Sequence, residues 1–98
     1  MLSKRYFKTI DEVEVTFEIE RPEAERAEWV AETMGWSPIE MKRAKRGKGP
    51  GRLKVRLPKD RPVQFRYLLD EQIWENDDAA DAYWPNDMGS DNSVVLTG

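Results

Sequence analysis

The sequence predicts an all-β fold, a sandwich of about seven short antiparallel strands. Apolar and polar residues alternate in several short segments of the 98-residue chain. Turn-forming residues separate these segments about every 8–12 residues, which is typical of a sandwich. Alternation gives each strand one hydrophobic face, so two sheets have to pack face to face to bury those faces.

The first half of the chain contains the clearest strand. Residues 12–19 (EVEVTFEI) have an apolar residue at every odd position and a polar one at every even position, which indicates one buried and one solvated face. Residues 4–9 are predicted as the strand before it. Pro22 ends the run because proline cannot donate to a ladder. Residues 27–33 are predicted as the next strand, although alanine and glutamate also favour helices.

The second half alternates again in two segments, 52–57 and 63–69, which are separated by a turn with proline at both ends. In each segment the odd positions are apolar and are predicted to face the core. The remaining segments are predicted as mostly loop at 34–51, a tight turn at 70–72, a short strand at 73–74, an acidic loop region at 76–92 and a last strand at 93–97.

Composition predicts one domain, residues 1–98, because a chain this short builds only one hydrophobic core. Cysteine and histidine are both absent. Without cysteine the chain has no disulfides, no thiol catalysis and no cysteine-ligated metals, and without histidine it lacks the commonest general acid/base. We therefore expect a non-catalytic protein without a cofactor or metal. No apolar run approaches the roughly 20 residues that cross a bilayer, and a cysteine-free domain fits a cytoplasmic setting.

Charge is strongly polarised along the chain. From residue 40 to residue 66 there are eleven Lys/Arg against two acids, whereas residues 70–98 contain eight acids and no base. The basic stretch 42–52 has two interpretations, a nucleic-acid backbone contact or a solvated hairpin loop balanced by the acidic segment. The second is favoured, because the whole chain is acidic and no base-reading module pattern is present.

The acidic region offers carboxylates for two other kinds of site. A glycosidase needs a pair of them, but a sandwich of this size has little room for a substrate cleft. Asp77, Asp78 and Asp81 could ligate calcium, but they lack the ordered ligand spacing of a calcium loop. Neither site is therefore expected.

Four tryptophans are many for a small polar domain. Trp29 lies within a predicted strand and is expected in the core. Trp36, Trp74 and Trp84 lie in or beside turns and loops. Loop tryptophans either stack on the apolar C–H face of a sugar ring or fold inward to plug the ends of the sandwich, and composition alone favours neither.

Three stretches resemble one known family in consistent order: 32–38 (ETMGWSP), 64–77 (QFRYLLDEQIWEND) and 89–95 (GSDNSVV). They are similar to the early-set glycogen- and starch-binding modules (carbohydrate-binding module family 48). Such modules precede the catalytic barrels of isoamylases and branching enzymes and occur in the β subunit of AMP-activated protein kinase. The resemblance implies an immunoglobulin-like (early-set) β-sandwich and non-catalytic binding of an α-glucan, namely glycogen, starch or a maltooligosaccharide.

The resemblance also implies roles for individual residues. Trp36 and Trp74 would stack on glucose units, while Arg66 and Asn92 would hydrogen-bond the hydroxyls. In the same stretches, Asp70 is expected to shape its turn, and Asn76 and Asp77 are expected to fix the loop after Trp74. Trp84 has no family counterpart, and its role stays open.

The chain departs from the family at the turn before Trp74. Glu71 replaces the usual turn glycine, and one extra residue precedes Trp74. We therefore expect a shift of Trp74 relative to Trp36. The alternative function is a regulatory or protein-interaction domain that keeps the fold and docks a glycogen-metabolising enzyme or kinase without tight sugar binding. The expected partner is an α-glucan, or such an enzyme; neither a membrane nor a nucleic acid is expected.

Overall fold

The computed structural model describes residues 2–43 and 49–98, which contain ten strands and one short 3-10 helix. The helix, Glu32–Met34, lies between the third and fourth strands. The strands are β1 (Leu2–Tyr6), β2 (Glu12–Ile19), β3 (Ala27–Ala31), β4 (Ile39–Glu40), β5 (Lys42–Arg43), β6 (Gly51–Pro58), β7 (Pro62–Leu69), β8 (Ile73–Glu75), β9 (Ala82–Pro85) and β10 (Asp91–Leu96).

The strands form two antiparallel sheets that pack as an immunoglobulin-like β-sandwich, which confirms the predicted fold class. The smaller sheet has the order β1-β2-β6-β5. The larger sheet has the order β4-β3-β7-β10-β9. Along one edge of β7, β10 pairs with its first half and β8 with its second half.

The core lies between the sheets and consists of the inward faces that alternation predicted. Val13, Val15, Phe17 and Ile19 of β2 are all buried. The ring centroid of Phe17 lies 4.7 Å from that of Trp29 and 4.8 Å from that of Phe65, so the three rings join the two sheets. Trp29 is fully buried, which confirms its predicted place in the core.

The bounds of three predicted strands were wrong, including those of the last strand, β10, which covers Asp91–Leu96 rather than residues 93–97. β1 covers Leu2–Tyr6 rather than residues 4–9, because its pairing with β2 runs from Leu2 opposite Phe17 to Tyr6 opposite Val13. β3 ends at Ala31 rather than at residue 33. Its continuation turns into the 3-10 helix and leaves the ladder, which agrees with the helix preference of glutamate.

Three strands were not predicted. β4 and β5 lie within 34–51 and have two residues each, and β9 lies within the acidic region 76–92. β9 is an edge strand that pairs only with β10 among the described strands, and all its residues are at least partly exposed. It therefore lacks the alternation that marks a strand with one buried face.

The basic stretch 42–52 is described only at its two ends, since residues 44–48 lie outside the described residues. Arg43 donates from Nη2 to the carbonyl of Arg21 at 3.1 Å and from Nε to that of Gly49 at 3.0 Å. Arg52 pairs with Glu18 across β6 and β2 at 2.7 Å. These two arginines bind to the protein itself. No helix in the described part of the chain is long and apolar enough to cross a membrane.

Candidate ligand-binding site on the larger sheet

A cavity of about 810 Å³ lies over the outer face of the larger sheet. Strands β3, β7 and β10 contribute Val30, Gln64, Arg66 and Asn92 to its lining. The remaining lining residues come from the turn after the 3-10 helix, from β8 and from the end of β9 with its hairpin loop: Trp36, Trp74, Pro85, Asn86, Asp87, Met88 and Ser90. The cavity thus brings together the four residues that the sequence singled out, namely Trp36, Arg66, Trp74 and Asn92.

The register of β7 determines which side chains reach the cavity. Side chains alternate between the two faces of a strand, and Phe65 and Tyr67 face the core. Arg66 therefore faces outward, where it lies opposite Val30 of β3. Residues that lie directly opposite each other share a face, so Trp74, which is opposite Leu68, also lies on this outer face.

Trp36 is displayed by the turn that ends the 3-10 helix. Both Gly35 and Trp36 have left-handed backbone angles, with φ of 62° and 61°. The amide of Trp36 donates to the carbonyl of Ala31 at 2.9 Å, which closes the turn. A left-handed conformation costs a residue with a side chain about 1–2 kcal/mol. The turn holds the indole in this conformation, 44% exposed, at the cavity.

Trp74 is positioned by the turn between β7 and β8. The amide of Gln72 donates to the carbonyl of Leu69 at 3.0 Å, and the two central residues, Asp70 and Glu71, have φ of 50° and 59°. Two central residues of positive φ are typical of the type I′ hairpin turn, whose second position favours glycine. Glu71 adopts this conformation without glycine, and Trp74 is 48% exposed and lines the same cavity as Trp36.

Asp70 also connects its turn to a neighbouring loop. Its Oδ1 accepts hydrogen bonds from the amides of Glu25 at 2.8 Å and Arg26 at 2.9 Å. Its own amide donates to the carbonyl of Arg26 at 2.9 Å. Asp70 therefore has a structural role, and its carboxylate anchors the turn to the neighbouring loop.

Asn76 and Asp77 hold the segment after Trp74 against the sheet, as predicted. Asn76 donates to the carbonyl of Asp91 at 2.9 Å. Asp77 is 1% exposed; its Oδ2 accepts from the Tyr67 hydroxyl at 2.7 Å, and its amide donates to Ser93 Oγ at 2.9 Å. Burial raises the pKa of the Tyr67 hydroxyl, and its hydrogen bond to Asp77 raises that pKa further. The hydroxyl therefore remains a donor.

Arg66 lies over the face of the Trp74 indole, with Cζ 5.4 Å from the ring centroid. Its side chain is partly buried, and Nε is inaccessible to solvent without a hydrogen-bond partner. A cation over an indole is stabilised by about 0.5–2 kcal/mol. That contact positions the guanidinium and leaves the N–H donors of its two terminal nitrogens without a hydrogen-bond partner among the described residues.

Asn92 belongs to a chain of side-chain amides along the outer face. Asn86 Nδ2 donates to Asn92 Oδ1 at 3.0 Å, and Asn92 Nδ2 donates to Gln64 Oε1 at 3.1 Å. Gln64 Nε2 in turn donates to Glu32 Oε2 at 3.2 Å. Asn92 is buried and is hydrogen-bonded to a side chain on either side, so it orients Asn86 and Gln64 along this face.

Gln64 and Asn86 are cavity residues that sequence reasoning missed. Gln64 could have been found, because it is the outward position next to Arg66 on the same strand. Asn86 was harder to predict from the sequence, because only its position at the start of a turn-like segment distinguishes it. Its Oδ1 accepts from the amides of Met88 at 2.9 Å and Ser90 at 3.2 Å. Asn86 thereby shapes the β9–β10 loop that borders the cavity.

Trp84 is the remaining exposed tryptophan. It pairs opposite Asn92 and is 39% exposed, but it lies outside the set of described residues that line the cavity. Two of the three carboxylates considered for calcium, Asp77 and Asp81, have protein partners. Asp81 pairs with Lys4 at 2.6 Å, and Asp77 accepts from Tyr67. Within residues 2–43 and 49–98, no cluster of acidic side chains is arranged to hold a metal ion.

No protein-family model matches this chain, and no curated protein matches its sequence.

Proposed function

We propose that this chain is a non-catalytic module that binds an α-glucan in the cavity over the larger sheet. The proposal rests on one observation. Two half-exposed indoles, those of Trp36 and Trp74, line the same cavity as the guanidinium of Arg66, which has no ion pair or hydrogen bond among the described residues. Its volume, about 810 Å³, falls within the roughly 300–1,000 Å³ of small-ligand sites.

The lining has both kinds of surface that a sugar needs. The C–H face of a glucose ring is apolar and stacks on an indole, whereas its hydroxyls require donors and acceptors at the ring's edge. Arg66 offers N–H donors, and the amides of Gln64 and Asn92 offer both donors and acceptors. The amide chain through Asn86 orients these groups before a ligand arrives.

The lining also supports binding without catalysis. A glycosidase places two carboxyl groups on opposite sides of the bond that it cleaves. Among the described residues that line the cavity, Asp87 is the only one with a carboxylate. The chain has no histidine or cysteine to replace the second carboxyl group. The residues at the cavity therefore fit recognition better than hydrolysis.

Calorimetric titration with maltoheptaose tests the proposal. We expect a dissociation constant between micromolar and millimolar, because stacking on two rings has to overcome the cost of ordering the sugar. Trp36→Ala and Trp74→Ala should each weaken binding about tenfold, since loss of one aromatic contact removes about 1–1.5 kcal/mol.

Tyr6→Ala is the matched control, because Tyr6 is 45% exposed, like the two tryptophans, but lies on β1 of the smaller sheet and does not line the cavity. It should bind maltoheptaose as the unmodified chain does. Thermal unfolding of all three variants separates loss of the site from loss of the fold. No heat of binding at millimolar sugar, or equal weakening by all three substitutions, would contradict the proposal.

A further inference from the structure

We infer that the preferred ligand of the cavity is a sugar with an anionic group, a phosphate or a carboxylate, that binds the guanidinium of Arg66. The inference rests on the proposed function and specifies the class of sugar. It is drawn from the burial and the bonding of the Arg66 side chain, which differ from those of the other described arginines.

Of the arginines within residues 2–43 and 49–98, Arg66 alone is partly buried and has neither an ion pair nor a hydrogen bond. Arg5 also has neither, but it is exposed to solvent and contacts the Phe7 ring. The others bind carboxylates or backbone carbonyls: Arg21, Arg26, Arg43, Arg52, Arg56 and Arg61. The chain has 19 acids against 16 bases, so a shortage of carboxylates does not explain why Arg66 is unpaired.

Partial burial makes the unpaired state of Arg66 costly. Nε is withdrawn from water without gaining an acceptor among the described residues, and a buried donor without an acceptor lowers the stability of the fold. The Trp74 ring lies against the guanidinium and removes more of its hydration. A ligand oxyanion in the cavity would accept from the terminal Nη donors of Arg66 and compensate its charge in a partly desolvated setting, where the interaction is stronger than in water.

The nearby acids do not neutralise this charge. On the same face of the sheet, Glu28 pairs with Arg26 at 3.4 Å. Glu32 accepts from Gln64 and lies 3.9 Å from Arg61. The cavity's acidic lining residue, Asp87, is exposed on the β9–β10 loop and forms no ion pair with Arg66. An exposed charge is screened by solvent, so it opposes an incoming anion only weakly.

A neutral glucan would occupy the donors of Arg66 but leave its charge uncompensated. An oxyanion adds to these hydrogen bonds a Coulomb attraction that a hydroxyl lacks, and it can accept two parallel N–H bonds from the planar guanidinium. We therefore expect an anionic sugar to bind at least about tenfold more tightly than its neutral counterpart at low ionic strength, with a preference that falls as salt is added.

The test is calorimetric titration with three oligosaccharides of equal length: maltotriose, maltotriose with one phosphate group, and maltotriose with one glucose oxidised to the uronic acid. We expect both anionic sugars to bind more tightly than maltotriose, and the ranking of the two identifies which oxyanion is preferred. Arg66→Gln should abolish the preference. Arg66→Lys should keep part of it, because lysine retains the charge but lacks the planar fork of donors.

Asp87→Asn gives an independent measurement. It removes the opposing charge without touching Arg66, so it should raise the affinity for the anionic sugars about two- to threefold relative to that for maltotriose. The unfolding midpoint of each variant reports whether the fold is kept. The salt dependence of the unmodified chain tests the inference even if the Arg66→Gln variant does not fold.

The outcomes separate this inference from the proposed function. Equal affinity for all three sugars overturns the inference and leaves glucan binding intact. Binding of the anionic sugars without binding of maltotriose supports the inference and overturns recognition of neutral glucans. Absence of binding by all three overturns both, and a preference that persists in Arg66→Gln overturns the assignment to Arg66.

Discussion

Replacing Tyr67 with phenylalanine removes one hydroxyl group from the contact that holds the segment behind Trp74. Tyr67 is fully buried, and its hydroxyl donates to Asp77 Oδ2 at 2.7 Å. The phenylalanine ring keeps the packing of the tyrosine ring, whose centroid lies 5.7 Å from that of Phe65. The substitution therefore isolates the loss of one donor to a buried carboxylate.

The expected cost follows from the charge and burial of Asp77. Hydrogen bonds to charged groups contribute about 1.5–3 kcal/mol, and burial prevents water from replacing the lost donor. In a domain of this size, 1 kcal/mol shifts the unfolding midpoint by about 4–8 °C. Tyr67→Phe should therefore lower the midpoint by roughly 6–24 °C.

Thermal and urea unfolding at neutral pH, followed by circular dichroism, measure this change. Tyr6→Phe is the matched control, because its exposed hydroxyl donates only to the carbonyl of Gly98 at 3.2 Å among the described residues. That control should stay within about 0.5 kcal/mol of the unmodified chain. A loss of less than about 0.5 kcal/mol for Tyr67→Phe would refute the reasoning, because the buried contact would then contribute no more than a surface group.

The same contact predicts a dependence on alkaline pH. Burial raises the pKa of the folded Tyr67 hydroxyl above its ordinary value of 10.0. The folded chain therefore keeps this proton where the unfolded chain loses it. The stability contributed by Tyr67 is complete below about pH 10 and falls as the pH rises further. Tyr67→Phe should lose less stability above pH 10 than the unmodified chain does, in urea unfolding across that range.

Four further variants test individual features, each by urea unfolding unless stated. Glu71→Gly should raise the free energy of unfolding by about 0.5 kcal/mol, because relief of the left-handed φ exceeds the entropy cost of glycine and the loss of an exposed ion pair. Trp36→Gly should be about 1 kcal/mol more stable than Trp36→Ala, since both lack the ring and only alanine is strained at φ 61°. Trp29→Ala should cost about 3–5 kcal/mol through the cavity it leaves in the core. Asn86→Ala should weaken maltoheptaose binding in calorimetry with little loss of stability, because it frees the β9–β10 loop and Asn92 together.

Much of the fold could be predicted from local pattern alone. Alternation in β2, β6 and β7 requires one buried face on each strand, and that requirement leads directly to two packed sheets. The expected place of Trp29 in the core followed from its position within a predicted strand rather than from alternation. Strand β9 was not predicted, because an edge strand without a buried face does not show alternating apolar and polar residues. Boundaries at Tyr6 and Ala31 depended on cross-strand register, which local sequence does not specify.

The sequence by itself determined that Arg66 faces outward and that Trp36 and Trp74 lie at turns, because side-chain direction and turn chemistry are local properties. Only the tertiary structure decided that these residues share one cavity. These residues lie in the same cavity because β7 pairs with β3, β8 and β10. It also decided that Asn92 is hydrogen-bonded to Gln64 and Asn86, and that Arg66 has no ion pair or hydrogen bond with any described residue. A side chain's partners are fixed by packing between distant segments, which no local pattern encodes.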